Sequence, residues 1–213
     1  MRVISGRQQT ELTRQELRTR VGGFERVVVD VGTGSGRAVL AQAAAEPRTL
    51  VVGLDADAAS MVDASRRAAS APSRGGRPNA QFVVGAAEEL PGPFEGLADG
   101  VFVRFPWGSL LRGSIGDAGP VARGLVGMLR PNGELTLLLA LQPKDGYDDL
   151  LPLVTEPPLL AGRLAALYGP LGLRLVDCRW ASTDEVTAAQ SSWARRLRVG
   201  RDRQAVIARL VVD

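Results

Sequence analysis

The feature that most constrains this chain is a β-branched run that breaks into three closely spaced glycines. Val27–Asp30 continues into Asp30-Val31-Gly32-Thr33-Gly34-Ser35-Gly36, and a helix-like stretch, Ser35–Ala45, follows. Glycine adopts the backbone conformations of a tight turn and lets a ligand approach the main chain closely. Strand, glycine turn and helix in that order put the loop at the carboxyl end of a strand, where open α/β sheets bind ligands. The spacing disfavours a dinucleotide, whose fingerprint is G-x-G-x-x-G. Here the third glycine arrives one residue early and position 37 is Arg. A second acid, Asp55, ends another apolar run 19 residues after Gly36. A carboxylate at that place accepts hydrogen bonds from ribose hydroxyls.

Short apolar runs alternate with longer helical stretches along the chain, which predicts a mostly parallel sheet wrapped by helices. Seven strands are expected, at Arg26–Val31, Leu50–Asp55, Gln81–Val84, Gly100–Arg104, Glu134–Leu141, Leu173–Trp180 and Gln204–Val212. Helices are expected at Ser35–Ala45, Ala56–Ala71, Ala118–Leu129, Leu159–Leu167 and Asp184–Ala189. The last two strands are separated by only a short helix and an Arg-rich loop, so the closing strand should be antiparallel. Residues 1–20, with a turn signal at Ser5-Gly6, are read as an N-terminal β-hairpin. A basic linker over 66–79, a loop insertion over 142–158 and a basic substrate loop over 190–203 complete a single domain of 1–213.

Composition removes several chemistries. The chain has no His, so Ser-His-Asp hydrolysis, a His-ligated zinc site and a His base are excluded. One cysteine, Cys178, can form neither an internal disulfide nor a Cys₄ metal site, and no metal is expected. Apolar runs such as Leu135–Leu141 stop far short of a membrane span, and the N-terminus lacks an apolar signal core. A cytoplasmic protein without membrane association is expected.

The pattern D-x-G-x-G-x-G over Asp30–Gly36 resembles motif I of the class I S-adenosylmethionine (SAM)-dependent methyltransferases. In that frame, Gly85-Ala86-Ala87-Glu88 after the third strand borders the cofactor's adenine ring, with Ala87 small enough to pack on it. After the fourth strand, methylases of the adenine amino group have Asn/Asp-Pro-Pro-aromatic, whereas this chain has Phe105-Pro106-Trp107-Gly108. Cytosine C5 methylation needs a cysteine nucleophile, and Cys178 lies in the sixth strand, away from the ligand edge. An aromatic pocket suits an acceptor that already carries a lone pair, such as adenine N1. An indole face stabilises the positive charge that such a ring acquires. Trp107 and Trp193 both lie where they can overhang the cofactor, so a flipped base could sit between them. Trp180 reads as an anchor at the core or edge.

The formal charge is only +3, but it is unevenly placed. Arg66–Arg77 carries Arg66, Arg67, Arg74 and Arg77 with no acid, a net +4. Residues 190–213 carry another +4, with Arg195, Arg196, Arg201 and Arg203 around Trp193, and the remainder sums to −5. An acidic body with two basic segments is the footprint of phosphate-backbone binding.

Together these motifs resemble the aminoglycoside-resistance 16S rRNA methyltransferases that modify N1 of adenine 1408. The resemblance is carried by VVDVGTGSG (Val28–Gly36), VVGLDAD (Val51–Asp57), FPWGSLLRG (Phe105–Gly113) and SSWARRLRVGRDR (Ser191–Arg203). It implies a class I, Rossmann-like fold and SAM as cofactor. It also implies cofactor contacts at Asp30, Gly32, Gly34, Asp55, Ala87, Glu88, Arg104, Pro106, Trp107, Ser109, Ser191, Ser192 and Trp193. Trp107 and Trp193 would sandwich the target base, with Arg203 as the critical third residue. Ribosomal RNA contacts would come from Arg66, Arg67, Arg74, Arg77, Arg195, Arg196, Arg201 and Arg203. The implied partner is 16S rRNA within the assembled 30S subunit, met by a monomer. Position 104 departs from the resembled family, which usually has an apolar residue where this chain has Arg. A tRNA or small-molecule methyltransferase, or a non-catalytic RNA-binding module on the same fold, are the competing readings.

Overall fold

The computed structural model describes residues 1–117, 119–189 and 203–213. Nine strands form one sheet in these residues: β1 (Arg2–Ser5), β2 (Gln8–Glu11), β3 (Arg26–Val31), β4 (Thr49–Asp55), β5 (Ala80–Val84), β6 (Ala98–Arg104), β7 (Leu129–Leu139), β8 (Leu173–Trp180) and β9 (Val206–Val212). Their spatial order is β2-β1-β5-β4-β3-β6-β7-β9-β8. The helices are α1 (Arg14–Val21), α2 (Arg37–Ala45), α3 (Ala58–Ala68), α4 (Gly108–Ile115), α5 (Pro120–Met128), α6 (Leu151–Thr155), α7 (Pro157–Tyr168) and α8 (Thr183–Ala188).

The central strands are buried on both sides, which explains their continuous apolar runs. Val27, Val29, Val31, Leu50, Val52 and Leu54 face the larger core, with α4, α5 and α7 packed on that side. Val51, Phe82 and Val84 face a second core filled by Val39 and Ala43 of α2 and Met61, Ala64 and Ala68 of α3. Successive residues of a strand point to opposite faces, so helices are needed on both.

Five strands, β3 to β7, run parallel, and β9 lies antiparallel between β7 and β8. The winding proceeds from β3 outward through β4 to β5, then returns to the other side of β3 as β6. Such a reversal leaves a crevice at the carboxyl ends of the two strands that flank it.

The count of seven strands needs correction. β1 and β2 pair antiparallel, and β1 joins the sheet by pairing antiparallel with β5, Val3 opposite Val83. Residues 1–20 are also more than a strand pair, because α1 occupies 14–21. Nothing in the apolar pattern marked β2, whose four residues Gln-Gln-Thr-Glu are all exposed. The start of α1 was readable as Thr13-x-x-Glu16, a capping box in which each side chain receives the other's backbone N–H. The basic linker is likewise folded: Arg66 and Arg67 end α3, and Pro72–Arg74 form a single 3-10 turn.

Gly36 brings α2 close to the sheet. Its φ is +67°, and an added Cβ would lie 2.4 Å from the Phe82 ring and 2.7 Å from Ala64 Cβ. The left-handed conformation costs a side chain roughly 1–2 kcal/mol, and overpacking adds roughly 1–3 kcal/mol. Gly36→Ala should therefore lower the unfolding free energy by about 2–5 kcal/mol in urea titrations. A loss below about 1 kcal/mol would mean that α2 is not held against Phe82 as described.

Candidate active site

At the winding reversal lies a cavity of about 370 Å³. The glycine loop supplies Gly32, Thr33 and Gly34, the end of β4 supplies Asp55, and the turn after β5 supplies Gly85, Ala87 and Glu88. The opposite wall is Arg104, Phe105, Pro106, Trp107, Ser109 and Leu110, from the end of β6 into α4. Four segments far apart in sequence thus converge because parallel strands deliver their carboxyl ends to one edge.

The loop's shape follows from its glycines. Gly32 has φ +74°, and a Cβ there would lie 2.5 Å from a Leu110 methyl carbon, while one on Gly34 would meet nothing within 4 Å. The floor is therefore closed at Gly32 and open at Gly34. Asp55 fixes the loop from the side: its carboxylate accepts hydrogen bonds from the Gly34 N–H at 2.7 Å and the Asp57 N–H at 2.9 Å. Each oxygen keeps a lone pair for a further donor. An adenosine fits this donor and acceptor set, with ribose hydroxyls toward Asp55 and the small Ala87 leaving room for a flat ring.

Asp30 sits below the cavity rather than in its wall. It is 2% exposed, and its carboxylate accepts from Thr33 Oγ1 at 2.8 Å and from Arg104 Nη1 at 2.6 Å. Arg104 also donates to Gln42 Oε1 at 3.2 Å and lies 4.1 Å above the Phe102 ring. Asp30, expected as a cofactor contact, is thus placed behind the residues that line the cavity. Its charge is occupied by Arg104, and what it positions are Thr33 and Arg104, both of which do line the cavity.

Trp107 caps the start of α4 and remains 40% exposed at the mouth. A positive φ at Phe105 (+50°) and at Gly108 (+60°) turns the chain sharply on either side of it. A side chain in that region signals strain that the surroundings must hold. Phe105 is held by its N–H to Leu138 O, at 2.7 Å, and by burial against Leu138, Ala140 and Ile207. Tyr147 holds the other end. Its ring packs edge-on to Trp107 at 4.9 Å, and its hydroxyl accepts from the Gly108 N–H at 2.8 Å. Sequence reasoning missed Tyr147. The only signal was an aromatic residue in an otherwise polar loop that leaves a strand on the ligand edge.

Arg203 points inward in the structure. Its side chain is 1% exposed and forms a two-pronged ion pair with Asp145, Nη1 to Oδ2 at 2.5 Å and Nη2 to Oδ1 at 3.1 Å. It also donates to Gln142 Oε1 and Ala140 O. Arg66, Arg67 and Arg74 are exposed and Arg77 is partly buried. Gln190, Ser191, Ser192, Trp193, Arg195, Arg196, Arg201 and the rest of 190–202 lie outside the described residues. Trp180 ends the sheet-edge strand β8 and is 39% exposed, so of the two anchor positions expected for it, core or edge, it takes the edge. Cys178 lies far from the cavity, on β8, its thiol raised to about 11, chiefly by burial and then by Asp177.

A family model described as NpmA, 16S rRNA (adenine(1408)-N(1))-methyltransferase, matches residues 2–212. The chain belongs to this methyltransferase family. A family member from Streptoalloteichus hindustanus is 38% identical over 213 residues, covering 98% of this chain and 97% of the relative. One from Escherichia coli is 29% identical over 95% of this chain and 94% of its own length. Among solved structures, the 16S rRNA (adenine(1408)-N(1))-methyltransferase of Catenulisporales acidiphilia superposes with a TM-score of 0.84 at 36% identity, covering 99% of both chains. A mutant of that enzyme with cosubstrate SAM gives a TM-score of 0.80 at 33% identity, over 100% of this chain and 96% of that one. The aminoglycoside resistance methyltransferase NpmB1 matches at 0.80 and 33%, over 100% and 99%.

The Arg104–Asp30 pair gives the cation at position 104 a structural account. Breaking a buried pair on one side typically costs about 3–5 kcal/mol, because a charge stays behind in low dielectric. Arg104→Leu should destabilise the fold by that amount, and adding Asp30→Asn should recover at least half. Chemical denaturation of the single and double variants checks this, and simple additivity would show that the two groups do not interact.

Proposed function

We propose that this chain transfers a methyl group from SAM to N1 of adenine 1408 in 16S rRNA, within the assembled 30S subunit, and so confers aminoglycoside resistance. One observation carries the reading: a cavity that suits an adenosine, with Asp55 at one side and the exposed face of Trp107 at its mouth. When bound, the cofactor supplies an electrophilic sulfonium methyl. Asp55 accepts from the ribose hydroxyls, Ala87 and Glu88 border the adenine, and Gly32, Gly34, Pro106 and Ser109 shape the remaining wall. Trp107, held by Tyr147, offers its face to the target base, and Trp193 covers the other side with Ser191 and Ser192 beside the cofactor.

The acceptor needs no deprotonation, because N1 of neutral adenine already bears a lone pair. Catalysis then rests on orientation, which alone can account for several kcal/mol of barrier. The stacked indole offsets the positive charge that develops on the base. Exposed arginines at 66, 67 and 74, with Arg77 and with Arg195, Arg196 and Arg201, contact phosphates. They fix the enzyme's position without reading sequence, so a monomer recognises the shape of the subunit. No helix among the described residues is long and apolar enough to cross a membrane, as suits an enzyme that meets ribosomes in the cytoplasm.

Expression in a susceptible bacterium should give aminoglycoside resistance together with a reverse-transcription stop beside adenine 1408. Soluble protein with neither would sink the proposal. Trp107→Ala should slow methylation by about 5- to 150-fold, matching the roughly 1–3 kcal/mol of a base–aromatic stack. SAM affinity should stay within about tenfold, or roughly 1.4 kcal/mol. Arg203→Glu is a poor test of RNA contact, since it would set a second carboxylate against the buried Asp145.

A further inference from the structure

Arg37 is the first residue of α2, directly after the last glycine of the loop. Helix N-termini favour negative charge, because their free N–H groups and the macrodipole point positive. The first turn of α2 holds no acid, and an arginine at this place works against the helix. A residue that opposes local stability invites a functional account.

Its surroundings supply one. Arg37 lines a groove of about 420 Å³ together with Arg67 from the last turn of α3 and Arg77 from the following loop. The other lining residues are Leu40, Ala41, Ala44 and Gly75, with no carboxylate among them. Among the described residues, none of these three arginines has an ion pair. The loop that brings Arg77 here is stiff. Arg77 N–H donates to Ala68 O at 2.9 Å and Gly76 N–H to Ala71 O at 3.1 Å. A Cβ on Gly76 would lie 1.7 Å from Ser70 O, so only glycine lets the loop fold back onto the end of α3.

We infer that this groove between α2 and the end of α3 binds an RNA phosphodiester, and that Arg37 contacts rRNA on the same surface as Arg67 and Arg77. The inference rests on the rRNA reading above and extends it to a helix outside both arginine clusters. The groove offers three guanidiniums over an apolar floor and, apart from backbone, no hydrogen-bond acceptor. It therefore recognises charge and not bases, as backbone contacts do.

The test uses the full-length enzyme with purified 30S subunits. Arg37→Glu should weaken 30S binding tenfold or more at about 0.1 M salt, whereas Arg37→Ala should weaken it less and make the log–log salt dependence shallower by about one unit. SAM affinity, measured by calorimetry without RNA, should be unchanged. The melting temperature of Arg37→Glu should equal or exceed that of the parent, since a glutamate suits a helix N-terminus. Unchanged 30S affinity in Arg37→Glu overturns the inference. So does a parallel loss of SAM affinity, which would make Arg37 a support for the glycine loop. If the parent enzyme neither binds 30S subunits nor methylates adenine 1408, the rRNA function itself fails, which the variant comparison would not by itself reveal.

Discussion

A carboxylate buried in the middle strand of the sheet governs this structure. Asp30 is 2% exposed, and an ion removed from water costs several kcal/mol unless a counter-ion and hydrogen bonds replace the solvent. The replacement comes from two directions, and a third element braces one of them. Arg104 reaches it from β6, one same-face position beyond Phe102, which is Asp30's partner in the strand register. Thr33 reaches it from the glycine loop, and Gln42 of α2 engages the far side of the same guanidinium. The winding reverses between β3 and β6, so no direct β–α–β crossover joins them at the edge where they open. The ion pair ties both strand ends, the loop and α2 where the crevice begins.

The parts of the fold legible in the sequence were those whose burial is local and periodic. β3, β4 and β5 carry runs of apolar residues because helices cover both faces, and the expected ends of β3 and β8 agree with the structure. The cavity wall was legible for a different reason: glycine spacing, a strand-end acid and an aromatic turn are all fixed by backbone geometry. What escaped depends on distant partners. Helix α4 was hidden because FPWG reads as a loop, although Leu111 and Ile115 behind it are a helical pair that packs into the core. Arg203 looked like one more cation in a basic run, because its partner Asp145 lies 58 residues away. Composition reports how many arginines a segment holds, and only the fold reports which of them turns inward.

That inward turn links the two halves of the mouth. The loop after β7 carries Asp145, which anchors Arg203 just before β9, and Tyr147, which supports Trp107. Gln142 and Asp145 close the loop on itself through a capping box around Pro143, so it is braced before it braces anything else. On its near side Ala189, the last described residue before 190–202, packs with Phe105, Ala140 and Ala205. Both ends of the segment that bears Trp193 are thus anchored beside the strained Phe105 turn that aims Trp107. Attack by a lone pair on a methyl group tolerates little misalignment, and an angstrom of displacement can cost about a hundredfold in rate. On the proposed reading, Asp145 and Tyr147 serve that demand without touching the base, by fixing both approaches to it from one short loop.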